Sequence, residues 1–433
     1  MTRPEELSQW ETELNHHLPS LSKPQASELA LWSIGMVLAD SASLQKVALR
    51  IHIWLAEQGQ LIDSYLERLR SWYLPAERKA GDKRCDWNPD DLFGEFVVWV
   101  LRLVDEERVV LAIDATTLRD RVTILCVSVL IGGCAIPVAW RCLPGNRKDE
   151  WNRHWLALLQ TISLAIPQEM EIIVLSDRGL WSPFLFQAIQ DHGWHPLMRV
   201  NWDNGENCSY FRPQGGKWRT MVSLAPAKGE EVRLAGEAFA SHGIPSTLII
   251  YWGESAQEPW YLLTDSSPLP DLDGPLYAER MWIEHQFKTI KSDGWNVTKS
   301  RITEPDRIAR MWLAYAVAML WTMSVGSHPI AGVDRPARLT DNRDSTPALE
   351  AGEASAQPTV SLPAPAPSST SPPSRRSLPQ QPSLSTVAVP WTFSQTYSWF
   401  RRGITVLADR IAGALELECP RFYSTLRLTA GPN

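Results

Sequence analysis

The 433-residue chain is poor in the residue patterns that hold structural metals. Its six cysteines, at 85, 126, 134, 142, 208 and 419, form no CxxC pair, and no two histidines stand at zinc-site spacing. Neither a structural zinc nor a disulfide framework is indicated, and a reducing cytoplasm fits best. An export signal is also lacking: MTRPEELSQWETEL has no basic segment followed by an apolar one. The longest apolar runs, Ile124 to Trp140 and Met311 to Val325, are shorter than a membrane span, and Gly132, Gly133 and Pro137 break the first. There is no basic excess either. The formal net charge is −7, which weighs against a chain that holds nucleic acid by bulk charge. What is present is 44% hydrophobic content, enough for a substantial core and two or three domains.

Residues 1 to about 105 read as helical, since SELALWSIGMVLA, SLQKVALRIHIWLAE and LIDSYLERLRSWYL repeat apolar residues at three- and four-residue steps. The Ser41 to Leu74 portion has the outline of a helix-turn-helix whose second helix offers Arg68 and Arg70. Helical bundles produce the same outline, and acidic residues outnumber basic ones across residues 1 to 105. From Arg108 the pattern turns to short β-rich runs: VVLAID, VTILCVSVLIGG and CAIPVAWRCL form a meander, followed by helix, strand (MEIIVLSD), helix and strand (HPLMRVN). That order is the one expected of a ribonuclease H-like α/β core, spanning 106 to 333 and carrying a β-rich insertion at about 201 to 265. DRIARMWLAYAVAMLWTMSV reads as a long buried helix. Residues 334 to 389, rich in Pro, Ser and Ala, cannot offset their ordering entropy and read as a disordered linker. A short helical tail, 390 to 433, follows, with an apolar face for the main body or a partner chain.

The stretch YAERMWIEHQFKTIK, Tyr277 to Lys291, organises the chemistry. On a helix, Tyr277, Arg280, Glu284 and Lys291 fall in one stripe, and Ile283, Phe287 and Ile290 form the apolar strip beside it. Read alone, Arg280, Glu284 and Lys288 are a solvated ion-pair ladder worth roughly 0.3 to 0.5 kcal/mol per pair. Two upstream aspartates change that weighting. Asp114 follows VVLAI and Asp177 follows EIIVLS, so both carboxylates are expected where neighbouring buried strands end. Either alone is more simply a turn cap; with Glu284 they make three convergent carboxylates. Such a set, without His or Cys, favours Mg²⁺ or Mn²⁺. Two such ions support in-line phosphoryl transfer, with Arg280 and Lys291 gripping phosphates and Tyr277 adding a hydrogen bond. Lys288, Lys299, Arg301, Arg307 and Arg310 add a basic cluster around this stretch.

The spacing Tyr277, Arg280, Glu284, Lys291, together with DATTL around Asp114 and SDRG around Asp177, resembles the Y-R-E-K signature of DDE transposases from bacterial insertion sequences of the type-four class. The resemblance covers about residues 24 to 326. It implies a ribonuclease H-like fold and endonuclease and strand-transfer chemistry in cut-and-paste transposition, with Asp114, Asp177 and Glu284 as catalytic metal ligands and Tyr277, Arg280 and Lys291 on terminal phosphates. The implied partners are double-stranded transposon ends (the terminal inverted repeats), target DNA and a second copy of the chain. The implied setting is a bacterial cytoplasm near the nucleoid, with no membrane.

Three other readings compete. A nuclease of the same fold would cut without joining, a transposase-derived repressor would bind DNA with a dead site, and a small-phosphoester hydrolase would ignore DNA. Asp265, after WYLLT, is the rival carboxylate, but a turn cap into SSPLPD is the simpler role. Of the 21 tryptophans, Trp252, Trp260 and Trp282 are candidates to stack on an unpaired base; most of the others are expected in the core.

Overall fold

The computed structural model describes residues 5–55, 60–79, 86–104, 107–145, 151–201, 209–300, 302–327 and Gly403. The proline-rich stretch and all of the tail except Gly403 lie outside the described residues. Five helices come first: α1 (Glu5–His17), α2 (Lys23–Ala39), α3 (Leu44–Leu55), α4 (Ile62–Tyr73) and α5 (Phe93–Leu103). Helix α2 starts where the Ser22 N–H donates to Gln25 Oε1 (2.8 Å) and stops at Asp40, whose left-handed φ of 41° turns the chain out. It is buried on nearly every side, which explains its almost unbroken apolar sequence.

The strands form one ten-stranded sheet, ordered β3-β2-β1-β4-β5-β10-β9-β8-β6-β7. Strands β1 (Arg108–Leu118), β2 (Val122–Ile131) and β3 (Cys134–Pro144) make the antiparallel meander expected from their sequence. Helix α6 (Trp151–Ser163) then returns the chain to β4 (Glu171–Ser176), parallel to β1, and α7 (Pro183–Asp191) leads to β5 (His195–Arg199), parallel to β4. The region expected as a β-rich insertion, about 201 to 265, carries five strands between 210 and 264. Its strands, β6 (Tyr210–Pro213), β7 (Arg219–Thr220), β8 (Glu231–Ala238), β9 (Ile244–Tyr251) and β10 (Trp260–Thr264), continue the same sheet. The join is β10, which pairs antiparallel with β5 and leaves no free edge there.

The organising stretch is not one regular helix. It winds as α8 (Gly274–Tyr277), a 3-10 turn at Ala278–Arg280, α9 (Met281–Lys288) and a π turn at Thr289–Asp293. Asp273 starts it, Oδ1 accepting the Leu276 N–H (2.8 Å), and Gly274 is required there because a Cβ would strike the Tyr251 ring. The winding changes between residues anchored on the sheet, so strand positions rather than ideal helical pitch set the spacing. Helix α10 (Pro305–Ser327) follows, buried from Met311 to Met323 against β3, α2 and α4.

Tryptophans stitch these layers together. The Nε1–H of Trp10 donates to Ser33 Oγ (2.9 Å), Trp32 to the Leu69 carbonyl (2.8 Å), Trp72 to the Arg310 carbonyl (3.1 Å) and Trp140 to the Ala309 carbonyl (2.9 Å). Each of these four indoles thus finds a polar partner on another element. The helix-turn-helix outline is used the same way. Tyr65, Leu69 and Trp72 of α4 are buried, Arg68 is bonded to Ser27 of α2, and Arg70 pairs on the surface with Glu67. Gly403 is buried and helical, and a Cβ on it would strike the Thr322 carbonyl of α10.

Candidate active site

Strands β1 and β4 run parallel with Ile113 opposite Ser176, so Asp114 and Asp177 follow side by side. They differ in one respect from the sequence expectation. Strand β4 ends at Ser176, but β1 continues to Leu118 because its pairing with β2 runs on to Leu118 opposite Val122. Asp114 therefore sits mid-strand, at the level where its neighbour β4 leaves the sheet. Each aspartate folds one oxygen onto the next backbone amide: Asp114 Oδ1 accepts from Ala115 N and Asp177 Oδ1 from Arg178 N, both at 2.7 Å.

Helix α9 lies over β1, β2 and β3 and brings Glu284 to this point. Arg280 stands between the carboxylates. Its Nη1 donates to Asp114 Oδ2 (3.2 Å) and its Nη2 to Glu284 Oε1, with only 6% of its side chain exposed. Burial opposes the Arg280 charge, but Tyr277, Asp177, Asp114 and Glu284 outweigh it and raise the guanidinium above its usual pKa. Asp114 is pushed up to about 6, first by burial and then by the negative fields of Asp177 and Glu284; Arg280 and the Ala115 amide pull the other way.

The other two residues of the spaced quartet are also tied to strands. Tyr277 is buried, its hydroxyl donating to the Ser176 carbonyl (3.2 Å) and its ring edge-on to Trp260 (5.4 Å between centroids). Burial holds its phenol neutral, well above the usual range. Lys291 Nζ donates to Thr116 Oγ1 (2.9 Å), two residues along β1 from Asp114, and burial lowers its pKa. Thus Tyr277 reaches β4 beside Asp177, and Arg280 and Lys291 reach β1 on either side of Glu284.

Asp265 is elsewhere. Its Oδ2 lies 2.6 Å from His195 Nδ1, at the opposite end of β5 from the level of Asp177. Arg310 of the basic cluster is no surface charge: it is buried, bonded to the Trp87 and Tyr73 carbonyls and to Asp86. Arg301 lies outside the described residues. Trp260 is buried and Trp252 and Trp282 are partly so, with the Trp252 indole donating to the Ala256 carbonyl (3.3 Å). Ser128 and Gln286, a buried hydrogen-bonded pair beneath α9, escaped the sequence reading. The available signal was a lone uncharged polar residue next to the Ile283, Phe287, Ile290 strip.

The donor chemistry fits a hard divalent cation: three carboxylates, one of them buried and pressed by its neighbours' charge. Among the described residues, however, no three His, Cys, Asp or Glu are gathered as a metal cluster. Two of the three carboxylates are on Arg280, which must give way for a shared ion.

Residues 127–321 match the family model described as the transposase DDE domain, which supports a DDE transposase. The matched stretch contains Asp177, Glu284 and the whole Tyr277 to Lys291 run and begins beyond Asp114. Among solved structures, the chain is similar to one described as a cryo-EM structure of piggyBac transposase synaptic complex with hairpin DNA. That likeness is loose, at 10% identity over 73% of this chain and 71% of that one, with a TM-score of 0.40. No curated protein matches the chain.

Proposed function

We propose that the chain is a transposase of a bacterial insertion sequence of the type-four, Y-R-E-K class. On this reading it cleaves DNA at transposon ends and joins the freed 3′-hydroxyl to target DNA, acting as paired copies near the nucleoid. The observation that carries the reading is the side-by-side placement of Asp114 and Asp177 on parallel β1 and β4, with Arg280 linking Asp114 to Glu284. The strand order β3-β2-β1-β4-β5 supports a ribonuclease H-like core, with α1 to α5 as a helical N-terminal region.

Asp114, Asp177 and Glu284 would hold Mg²⁺ or Mn²⁺, two ions in the full site. When bound, these ions supply activation of a water or 3′-hydroxyl and stabilisation of the leaving oxygen. The chain's own groups divide the remaining work. The Ala115 and Arg178 amides fix one oxygen of each aspartate, leaving the other for coordination. Arg280, once released, is a planar fork suited to a phosphate, and Lys291, on the outer turn, is a point charge for the next one. Tyr277 acts from within by holding the β4 end that presents Asp177.

One observation favours a second reading. Arg280 bonds both carboxylates of the pair with no metal between them, as a transposase-derived repressor that binds DNA without metal would require. A single assay separates the readings. A labelled transposon-end duplex and a target plasmid are incubated with Mg²⁺ and either wild type or Glu284→Gln. Joined product from wild type alone supports the transposase, cleavage without joining supports a nuclease, and binding without cleavage by either protein supports the repressor.

A further inference from the structure

Three buried polar groups lie under α9 where an apolar interface would be expected. Ser128, in the middle of β2, is 0% exposed, Gln286 is 3% exposed, and Cys126 is fully buried between the same elements. The Ser128 hydroxyl donates to Gln286 Oε1 (2.9 Å) and lies 3.4 Å from the Cys126 sulfur. Burial pushes the Cys126 thiol up to about 12, opposed by hydrogen bonds from Ser128, Gln286 and Trp312. Around this knot α9 offers Ile283 and Phe287, and the π turn after it Ile290, all buried.

Register connects the knot to the acidic site. Asp114 is opposite Cys126 and Ala112 is opposite Ser128 in the β1–β2 pairing, and directly opposed residues share a sheet face. Asp114, Cys126 and Ser128 therefore all face α9. On the helix, Gln286 is two residues from Glu284. The stretch thus makes three polar ties to one sheet face, Arg280 to Asp114 before α9, Lys291 to Thr116 after it, and, from within α9, Gln286 to Ser128, which lies one pleat further along.

Energetics distinguish the role of the tie between Gln286 and Ser128. A buried, hydrogen-bonded polar pair gives little net stability over an apolar pair of equal volume, whereas removing one partner strands the other and destabilises the fold. Its effect is on register. The contacts of Ile283, Phe287 and Ile290 have no direction; a specific hydrogen bond from within α9 adds to the flanking ties of Arg280 and Lys291 in selecting a single setting.

We propose that Ser128 and Gln286 are positioning residues that fix the seating of α9 on β2 and so hold Glu284 at the level of Asp114. The consequence for DNA cleavage rests on the transposase reading above; the consequence for helix seating does not.

The test uses full-length Ser128→Ala/Gln286→Leu, which replaces the pair with apolar groups so that neither partner is stranded, and Ser128→Thr, which keeps the hydroxyl. Three quantities are measured: melting temperature, single-turnover cleavage of an end duplex with its duplex affinity, and amide hydrogen exchange across Ile283 to Phe287. The double variant is expected to melt at or above wild type and to bind duplex equally. Its cleavage should be about tenfold slower or worse, since sub-ångström misplacement is enough, and α9 should exchange faster. Ser128→Thr should cleave near the wild-type rate. Cleavage by the double variant at the wild-type rate overturns the proposal. If wild type itself does not cleave, the transposase reading fails and hydrogen exchange decides: faster exchange at equal melting temperature upholds the positioning role, and unchanged exchange removes it.

Discussion

Arg280 Nη1 lies 3.2 Å from Asp114 Oδ2 while Nη2 of the same guanidinium bonds Glu284, so one buried cation serves two of the three site carboxylates. Replacing it with Met leaves those carboxylates facing each other without compensation. Arg280→Met is expected to lose about 3 kcal/mol of stability at neutral pH, the scale for breaking a buried pair. Millimolar Mg²⁺ should return much of that loss, since a divalent ion neutralises the same groups. Urea unfolding with and without Mg²⁺ measures both, and a loss indifferent to Mg²⁺ would remove the metal from this site.

The raised pKa of Asp114 gives a pH test. For a carboxyl held at about 6 in the folded chain, the protonated form is favoured by folding. That contribution is complete below the unfolded value of about 3.9 and is lost as pH rises through about 6. Metal binds the ionised form. The rise in melting temperature on adding Mg²⁺ should therefore be small at pH 5 and grow through pH 6 to 7.5. A Mg²⁺ effect of equal size at all three values would contradict the assignment.

His17 behaves in the opposite sense. It stacks on Trp99 (4.5 Å between centroids, 2° between planes), and burial, with His16 and Arg102 adding, depresses its pKa to about 4. Neutral His17 contributes stability above about 6.5 that is lost as pH falls through about 4, worth about 3 kcal/mol in full. His17→Phe keeps the stack without the proton. Its stability advantage over wild type should widen as pH is lowered from 7 to 4, read from denaturant midpoints.

Gly274→Ala should destabilise the fold by about 1–3 kcal/mol, because its Cβ must displace the Tyr251 ring. The displacement falls at the start of the stretch bearing Tyr277 and Arg280. Cleavage activity is expected to fall further than the loss of folded protein, as a comparison of specific activity with circular dichroism would detect.

How much of this was legible in the sequence follows from the range of each signal. The β1 to β5 order was readable because the apolar runs and the Gly132-Gly133 turn are local. Asp114, Asp177 and Glu284 were readable as candidates because strand runs and helical spacing place them without knowledge of the packing. What each side chain touches was not. Tyr277 and Arg280 look like surface donors in a helical stripe, yet both are buried, because the side of the helix that carries chemistry is also the side that meets the sheet. The continuation of the sheet through β10 depends on β5 and β10 pairing across more than sixty residues, as His195 and Asp265 do. Ser128 and Gln286 carry neither charge nor motif and become visible only when β2 and α9 are laid together.

Helix α10 accepts the Trp140 indole from the sheet and the Trp72 indole from α4 on adjacent carbonyls, Ala309 and Arg310. The N-terminal helices and the acidic site are thereby fastened to the same turn of one rod. A displacement of α4 would therefore reach β3 through that one turn, as a load reaches two beams through a shared pin.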